Sequence, residues 1–152
     1  MKVGLLKKNI NAKTPLRANV HDAGLDLCSS IEIELLPQDA PKMVSTGLVM
    51  ALPVGYAGLI LPRSGLAAKY GVTVVNSPGL VDSGYRGEIF VALINHHPTR
   101  VHKISVGDRI AQLLIVPFLK RISFIEFSSE KALNYIFSPD GRGDGGFGSS
   151  GK

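Results

Sequence analysis

The chain has 152 residues, a length suited to one domain, and 45% of them are hydrophobic, too many for a disordered or fibrous protein. Its formal net charge is +5, but the basic residues are scattered and the densest pairs are only Lys7-Lys8 and Lys120-Arg121. The run or stripe of a nucleic-acid binder is therefore missing, whereas a site for a highly anionic small molecule accounts for the same charge.

In chain order, short runs rich in β-branched residues predict strands at Ile31–Leu36, Met43–Met50, Ala57–Leu61, Val72–Val75, Glu88–Asn95, Val101–Ile104, Ile110–Val116 and Ile122–Phe127. Each is bounded by Pro, Gly, Asn, Asp or Ser, as strands joined by turns are. So many short strands without a long helical window predict an all-β sandwich, jelly roll or barrel. Only Ser64–Tyr70 reads as helix, with Ser64 as its cap and Gly71 as its stop. The expected domain is 1–137. Residues Ser138–Lys152 carry six glycines and one large apolar side chain, Phe147, which predicts a flexible C-terminal arm. Cys28 is the sole cysteine, so no intrachain disulfide can form. With no signal peptide at the N-terminus, a reducing, cytoplasmic setting is expected. No apolar stretch approaches the length of a membrane span.

Three segments could carry chemistry. In Gly79–Glu88, Asp82 and Tyr85 stand three apart on an expected hairpin between Val72–Val75 and Glu88–Asn95. A carboxylate anchored by two strands suits a general base, although an isolated Asp in a turn more often satisfies turn amides. In Pro62-Arg63-Ser64-Gly65 a strand gives way to a helix whose free amides, with a hydroxyl and a forked cation, could bind phosphate. The glycine spacing and Lys of a Walker loop are absent. In Arg142-Gly143-Asp144-Gly145-Gly146-Phe147-Gly148 one cation and one ring on a mobile arm could close over a nucleotide. The histidines suit no zinc site: His96 and His97 are adjacent and point apart on an extended chain, and His21 and His102 are isolated.

Together these segments resemble the homotrimeric dUTP pyrophosphatases, in the family's order along nearly the whole chain. Ala23-Gly24-Leu25-Asp26-Leu27 looks like the first family motif and Pro62-Arg63-Ser64-Gly65-Leu66-Ala67 like the second. Gly79–Glu88 looks like the third, Gly107-Asp108-Arg109-Ile110-Ala111-Gln112-Leu113 like the fourth, and Arg142–Gly151 like the fifth. Val81 stands where many relatives have Ile. The resemblance implies a jelly-roll-like β-barrel and a threefold trimer with sites at subunit interfaces. It implies hydrolysis of dUTP to dUMP and pyrophosphate by water attack at the α-phosphorus, which keeps uracil out of DNA and supplies dUMP for thymidylate synthesis. Mg²⁺ would be held mainly by the substrate's triphosphate.

Carried onto this sequence, Asp82 would be the base. Arg63, Ser64, Gly65, Gln112 and Arg142 would hold the triphosphate, and Asp26 would lie near the metal's water shell or orient Arg63. Asn76 would read uracil, Tyr85 would lie under the deoxyribose, and Gly146 and Phe147 would bring a stacking ring over the base. Two other readings stand beside this one. A dCTP deaminase shares the implied fold, but no additional carboxylate in the hairpin suits its chemistry. A nucleic-acid-binding β-module draws on the +5 charge and the glycine-rich arm, yet every position used for chemistry is filled.

Overall fold

The computed structural model describes residues 1–129. The chain divides into two units, Met1–Lys120 and Arg121–Lys152. All regular elements among the described residues lie in the first. They are β1 (Gly4–Lys7), β2 (Leu25–Cys28), β3 (Ile33–Leu35), β4 (Lys42–Ala51), β5 (Tyr56–Leu61), α1 (Ser64–Tyr70), β6 (Val72–Val74), β7 (Gly79–Val81), β8 (Glu88–Asn95), β9 (His102–Ile104) and β10 (Arg109–Pro117).

The strands form two four-stranded antiparallel sheets, ordered β1-β4-β8-β6 and β2-β10-β5-β7, and a two-stranded ribbon of β3 and β9. This is the expected jelly-roll-like all-β fold, although backbone pairing does not close the sheets into a barrel. One apolar core joins both sheets: Val44, Leu48, Val72 and Val91 from the first meet Leu27, Ile60, Ile110 and Leu113 from the second. Leu48, Val91 and Leu27 are completely buried, so truncating Leu27 or Leu48 to Ala would cost about 2–5 kcal/mol. The buried Asn95 is satisfied on both ends: Nδ2 donates to the carbonyls of Leu35 and Arg100, and Oδ1 accepts from the His97 amide.

Seven of the eight expected strands form, and three differences are informative. Ile122–Phe127 is not a strand, because β-forming residues make a segment competent to pair without supplying a ladder. Ser64 does not cap α1. The cap is Arg63, still extended at φ −87°, ψ 125°, and Ser64 is already helical; Gly71 ends the helix at φ 69°, as expected. Finally, β6 and β8 do pair, but the segment between them is no simple hairpin. It makes β7, which pairs with β5 in the other sheet, so the turn carrying Asp82 and Tyr85 passes from one sheet to the other. The expected arm, from Ser138, lies outside the described residues. No helix among the described residues is long and apolar enough to cross a membrane.

Candidate active site

The centre of the second sheet positions the first half of the site. On β10, Gln112 lies opposite Asp26 of β2 on one side and Leu61 of β5 on the other. Two residues after Leu61 the chain leaves the sheet at Arg63 and starts α1. A Cβ on Gly24 would stand 2.8 Å from Gln112 Oε1 and 3.3 Å from its Cβ, so glycine there makes room for the half-buried Gln112 amide.

Asp26 is the electrostatic hinge of this half. Its Oδ2 accepts from Arg109 Nη1 at 3.1 Å, and its Oδ1 lies 3.4 Å from Arg63 Nε. The Arg63 Nη1 donates to the Arg109 carbonyl oxygen at 3.0 Å. The buried Arg63 Nε has no acceptor in hydrogen-bonding geometry, so its link to Asp26 is an ion pair and not a formed hydrogen bond. Two guanidinium groups bracket the Asp26 carboxylate beside a cleft of about 350 Å³, lined by Asp22, Gly24, Asp26, Arg63, Arg109 and Gln112. Ser64 and Gly65 open α1 on the exposed surface, with no side-chain cap and no acidic residue in the first turn. Nothing lies within 4 Å of a Cβ placed on Gly65. The helix amides there are available to an anion.

The second half lies around the β7–β8 turn. Asn76, Asp82 and Tyr85 line a separate cleft of about 180 Å³ with Gly79 and Glu88. Asn76 and Asp82 are exposed, and the Asn76 amide packs against Gly79, where a Cβ would meet its Nδ2 at 3.3 Å. Tyr85 closes the turn through its amide, which donates to the Asp82 carbonyl at 3.1 Å, and its hydroxyl donates to the Glu88 carbonyl at 2.9 Å.

Sheet register keeps the two halves apart within one chain. Gly79 pairs with Ile60 and Val81 with Gly58, so Asp82 follows at the Tyr56 end of β5. Arg63 lies beyond the opposite end, after Leu61. With about 3.3 Å per residue, Asp82 and Arg63 are separated by on the order of 15 Å along the strand.

The structure thus brings Asp26, Arg63 and Gln112 into one cleft and Asn76, Asp82 and Tyr85 into another. Arg142, Gly146 and Phe147 lie outside the described residues. Sequence reasoning passed over Arg109, whose guanidinium and carbonyl both serve the Asp26–Arg63 cluster. Its position three residues before Gln112 in the fourth motif was the available signal. Among the described residues no group of three or more His, Cys, Asp or Glu converges as a metal cage.

A family model described as dUTPase matches residues 10–151. The deoxyuridine 5'-triphosphate nucleotidohydrolase of Nocardia farcinica is 50% identical over 137 residues, covering 90% of this chain and 78% of its own. That of Rhodococcus erythropolis is 44% identical over 151 residues, covering 99% and 87%. Among solved structures, the Staphylococcus bacteriophage 80alpha dUTPase with dUPNHPP superposes with a TM-score of 0.77 at 29% identity, covering 99% of each chain. A mutant dUTPase from phage phi11 of S. aureus has a TM-score of 0.76 at 24% identity, covering 86% of this chain and 99% of its own, and coordinates a structural Mg(II) ion.

Proposed function

The chain belongs to the dUTPase family and is a dUTP diphosphatase, and we propose that it works as a homotrimer whose sites each combine residues of different copies. It hydrolyses dUTP to dUMP and pyrophosphate. The observation that carries the shared site is the register of β5 and β7. A base on Asp82 cannot reach a phosphate held at Arg63 and Ser64 of the same chain across on the order of 15 Å. A second copy supplying Asp82 removes that conflict.

In this reading Arg63, Gln112, the Ser64 hydroxyl and the amides opening α1 at Gly65 bind the triphosphate and fix its orientation. Asp26 and Arg109 hold Arg63 in place. Asp82 takes a proton from a water molecule as its oxygen bonds to the α-phosphorus; the α–β bridging P–O bond breaks, and pyrophosphate leaves with the bonding electrons. Asn76 and the backbone around Gly79 read uracil, and Tyr85 forms the wall beneath the deoxyribose. Arg142, Gly146 and Phe147 of a third copy cover phosphate and base. Both Asp26 oxygens are engaged by arginines, which fits Mg²⁺ carried by the substrate's own phosphates, with Asp26 reaching it at most through water. The ion would neutralise charge on the triphosphate as it develops on the leaving group. We also place the enzyme in the cytoplasm, as its single cysteine suits a reducing compartment.

Subunit complementation tests the shared site. Asp82→Asn and Arg63→Ala chains, each inactive alone, are co-expressed and the mixed assemblies assayed with dUTP and Mg²⁺. Mixed assemblies should recover activity, since some sites then combine an intact Asp82 from one copy with an intact Arg63 from another. Activity no higher than either parent would assign both residues to one chain.

A further inference from the structure

We propose that Glu88 is a positioning residue that sets discrimination between deoxyribose and ribose by holding Tyr85; the inference rests on the reading of Tyr85 as the wall beneath the sugar. Glu88 opens β8, directly after the turn that carries Asp82 and Tyr85. Its side chain is only 12% exposed, so its charge must be matched locally. The match comes from residues outside the turn itself. Oε1 accepts from the Ser45 hydroxyl and from the Gly47 amide at 3.1 Å, and Oε2 lies 3.4 Å from Lys8 Nζ.

Those partners sit at an irregularity in β4. Ser45 pairs with Phe90 but the next paired residue, Val49, pairs with Glu88, so β4 bulges between them. Bulging turns the Gly47 amide out of the ladder and toward the carboxylate. Gly47 has φ +67°, and a Cβ there would stand 2.7 Å from Asn9 Nδ2 and 2.9 Å from Ala12 Cβ. The network is braced further out: the Ser30 and Ser45 hydroxyls lie 2.7 Å apart, and Thr46 Oγ1 donates to the Ile89 carbonyl at 2.6 Å. One end of Glu88 is therefore fixed to β4 and to Lys8, just after β1.

The other end faces the turn. The Glu88 carbonyl accepts from the Tyr85 hydroxyl at 2.9 Å, and the Tyr85 ring folds over Gly87, where any Cβ would collide with it. Tyr85 is 45% exposed, so its seat over Gly87 and this hydrogen bond together set the ring. Removing the carboxylate leaves the Ser45 hydroxyl only Ser30 to donate to and the Gly47 amide only the Ser45 hydroxyl, lets the start of β8 relax, and moves the carbonyl on which Tyr85 hangs. A wall that moves admits a 2′-hydroxyl. This is a geometric effect on selectivity, so it is separable from a loss of stability.

The test compares kcat/KM for dUTP and UTP, with Mg²⁺, in full-length wild type, Tyr85→Ala, Glu88→Ala, Glu88→Gln and Ser45→Ala, with Tm measured on each. Glu88→Ala should lower the dUTP:UTP ratio by about tenfold, and Ser45→Ala should lower it less. Glu88→Gln keeps an acceptor for Ser45 and Gly47 and should retain most of the ratio despite losing the Lys8 ion pair. In Tyr85→Ala the added Glu88→Ala should change the ratio no further. A Glu88→Ala protein with lowered Tm and wild-type selectivity would overturn the proposal. If that variant does not fold, an unchanged ratio in Ser45→Ala overturns it instead. An unchanged ratio in Tyr85→Ala would bring down the sugar-wall reading and the inference with it, an outcome the Tyr85 variant alone identifies.

Discussion

Arg109 Nη1 stands 3.1 Å from Asp26 Oδ2, and the Arg109 carbonyl accepts from Arg63 at 3.0 Å, so Arg109 braces the same cluster with its side chain and its backbone. Two guanidinium groups repel unless a carboxylate lies between them, and the Asp26 side chain, 16% exposed, is that carboxylate. Asp26→Asn removes the charge and keeps the shape. It should lower kcat/KM for dUTP about 10–100-fold through misplacement of Arg63, with a stability loss of about 1–3 kcal/mol. Steady-state kinetics and thermal unfolding check both figures. Wild-type kinetics would mean that Arg63 is held without the carboxylate.

Asp82 offers the opposite contrast. It is exposed on the β7–β8 turn, so its side chain adds little to packing. Asp82→Asn should therefore leave stability within about 0.5 kcal/mol of wild type while kcat falls by about 10²–10⁴. Calorimetry with a non-hydrolysable dUTP analogue should show binding largely retained. A near-normal kcat would put the base elsewhere.

The long strands were legible because their residues carry the pattern themselves. Along β10, Ile110, Ala111 and Leu113 are buried while Gln112 and Leu114 are less so, and β-branched runs bounded by Gly and Pro marked β4 and β5 equally well. Leu25–Cys28 and Gly79–Val81 carry motif residues but no strand pattern of their own. Each is short, and what makes it a strand is a ladder with β10 or β5 that local periodicity cannot reveal. The same limit hid Arg109. A charged residue next to Asp108 at the start of a strand reads as surface, and its partner Asp26 lies 83 residues away in sequence. Asp82 and Arg63 are recognisable by type and motif, and the resemblance implies sites shared between subunits; the physical reason, their separation within one chain, follows from register.

Gly24 offers a test of how tightly Gln112 is set. It has no unusual backbone angle to protect, so the cost of Gly24→Ala is steric: the new methyl falls 2.8 Å from Gln112 Oε1. The amide end can swing aside, but the Gln112 Cβ at 3.3 Å limits how far. The expected result is a KM for dUTP raised about 3–10-fold, with Tm nearly unchanged. An unaltered KM would show that the Gln112 amide makes no contact with bound substrate.

Acid stability should fall in two stages. Burial pushes the His102 imidazole below its ordinary value of 6.5, with Arg100 adding to the effect and Asp108 opposing it. As pH drops below about 6.5 the unfolded chain takes up this proton before the folded one does, so stability declines from there. For Glu88, burial opposes the charge, but hydrogen bonds from Ser45 and Gly47 and the Lys8 ion pair outweigh it and hold the carboxyl below its ordinary value of 4.5. Its contribution is complete above 4.5 and is lost as pH falls through the lowered folded value. Tm measured from pH 8 to pH 3 should thus be level at first, fall gently below about 6.5, and fall again below about 4.5. His102→Gln should remove the first decline and Glu88→Gln should flatten the second. A single decline unaffected by either substitution would assign acid unfolding to other groups.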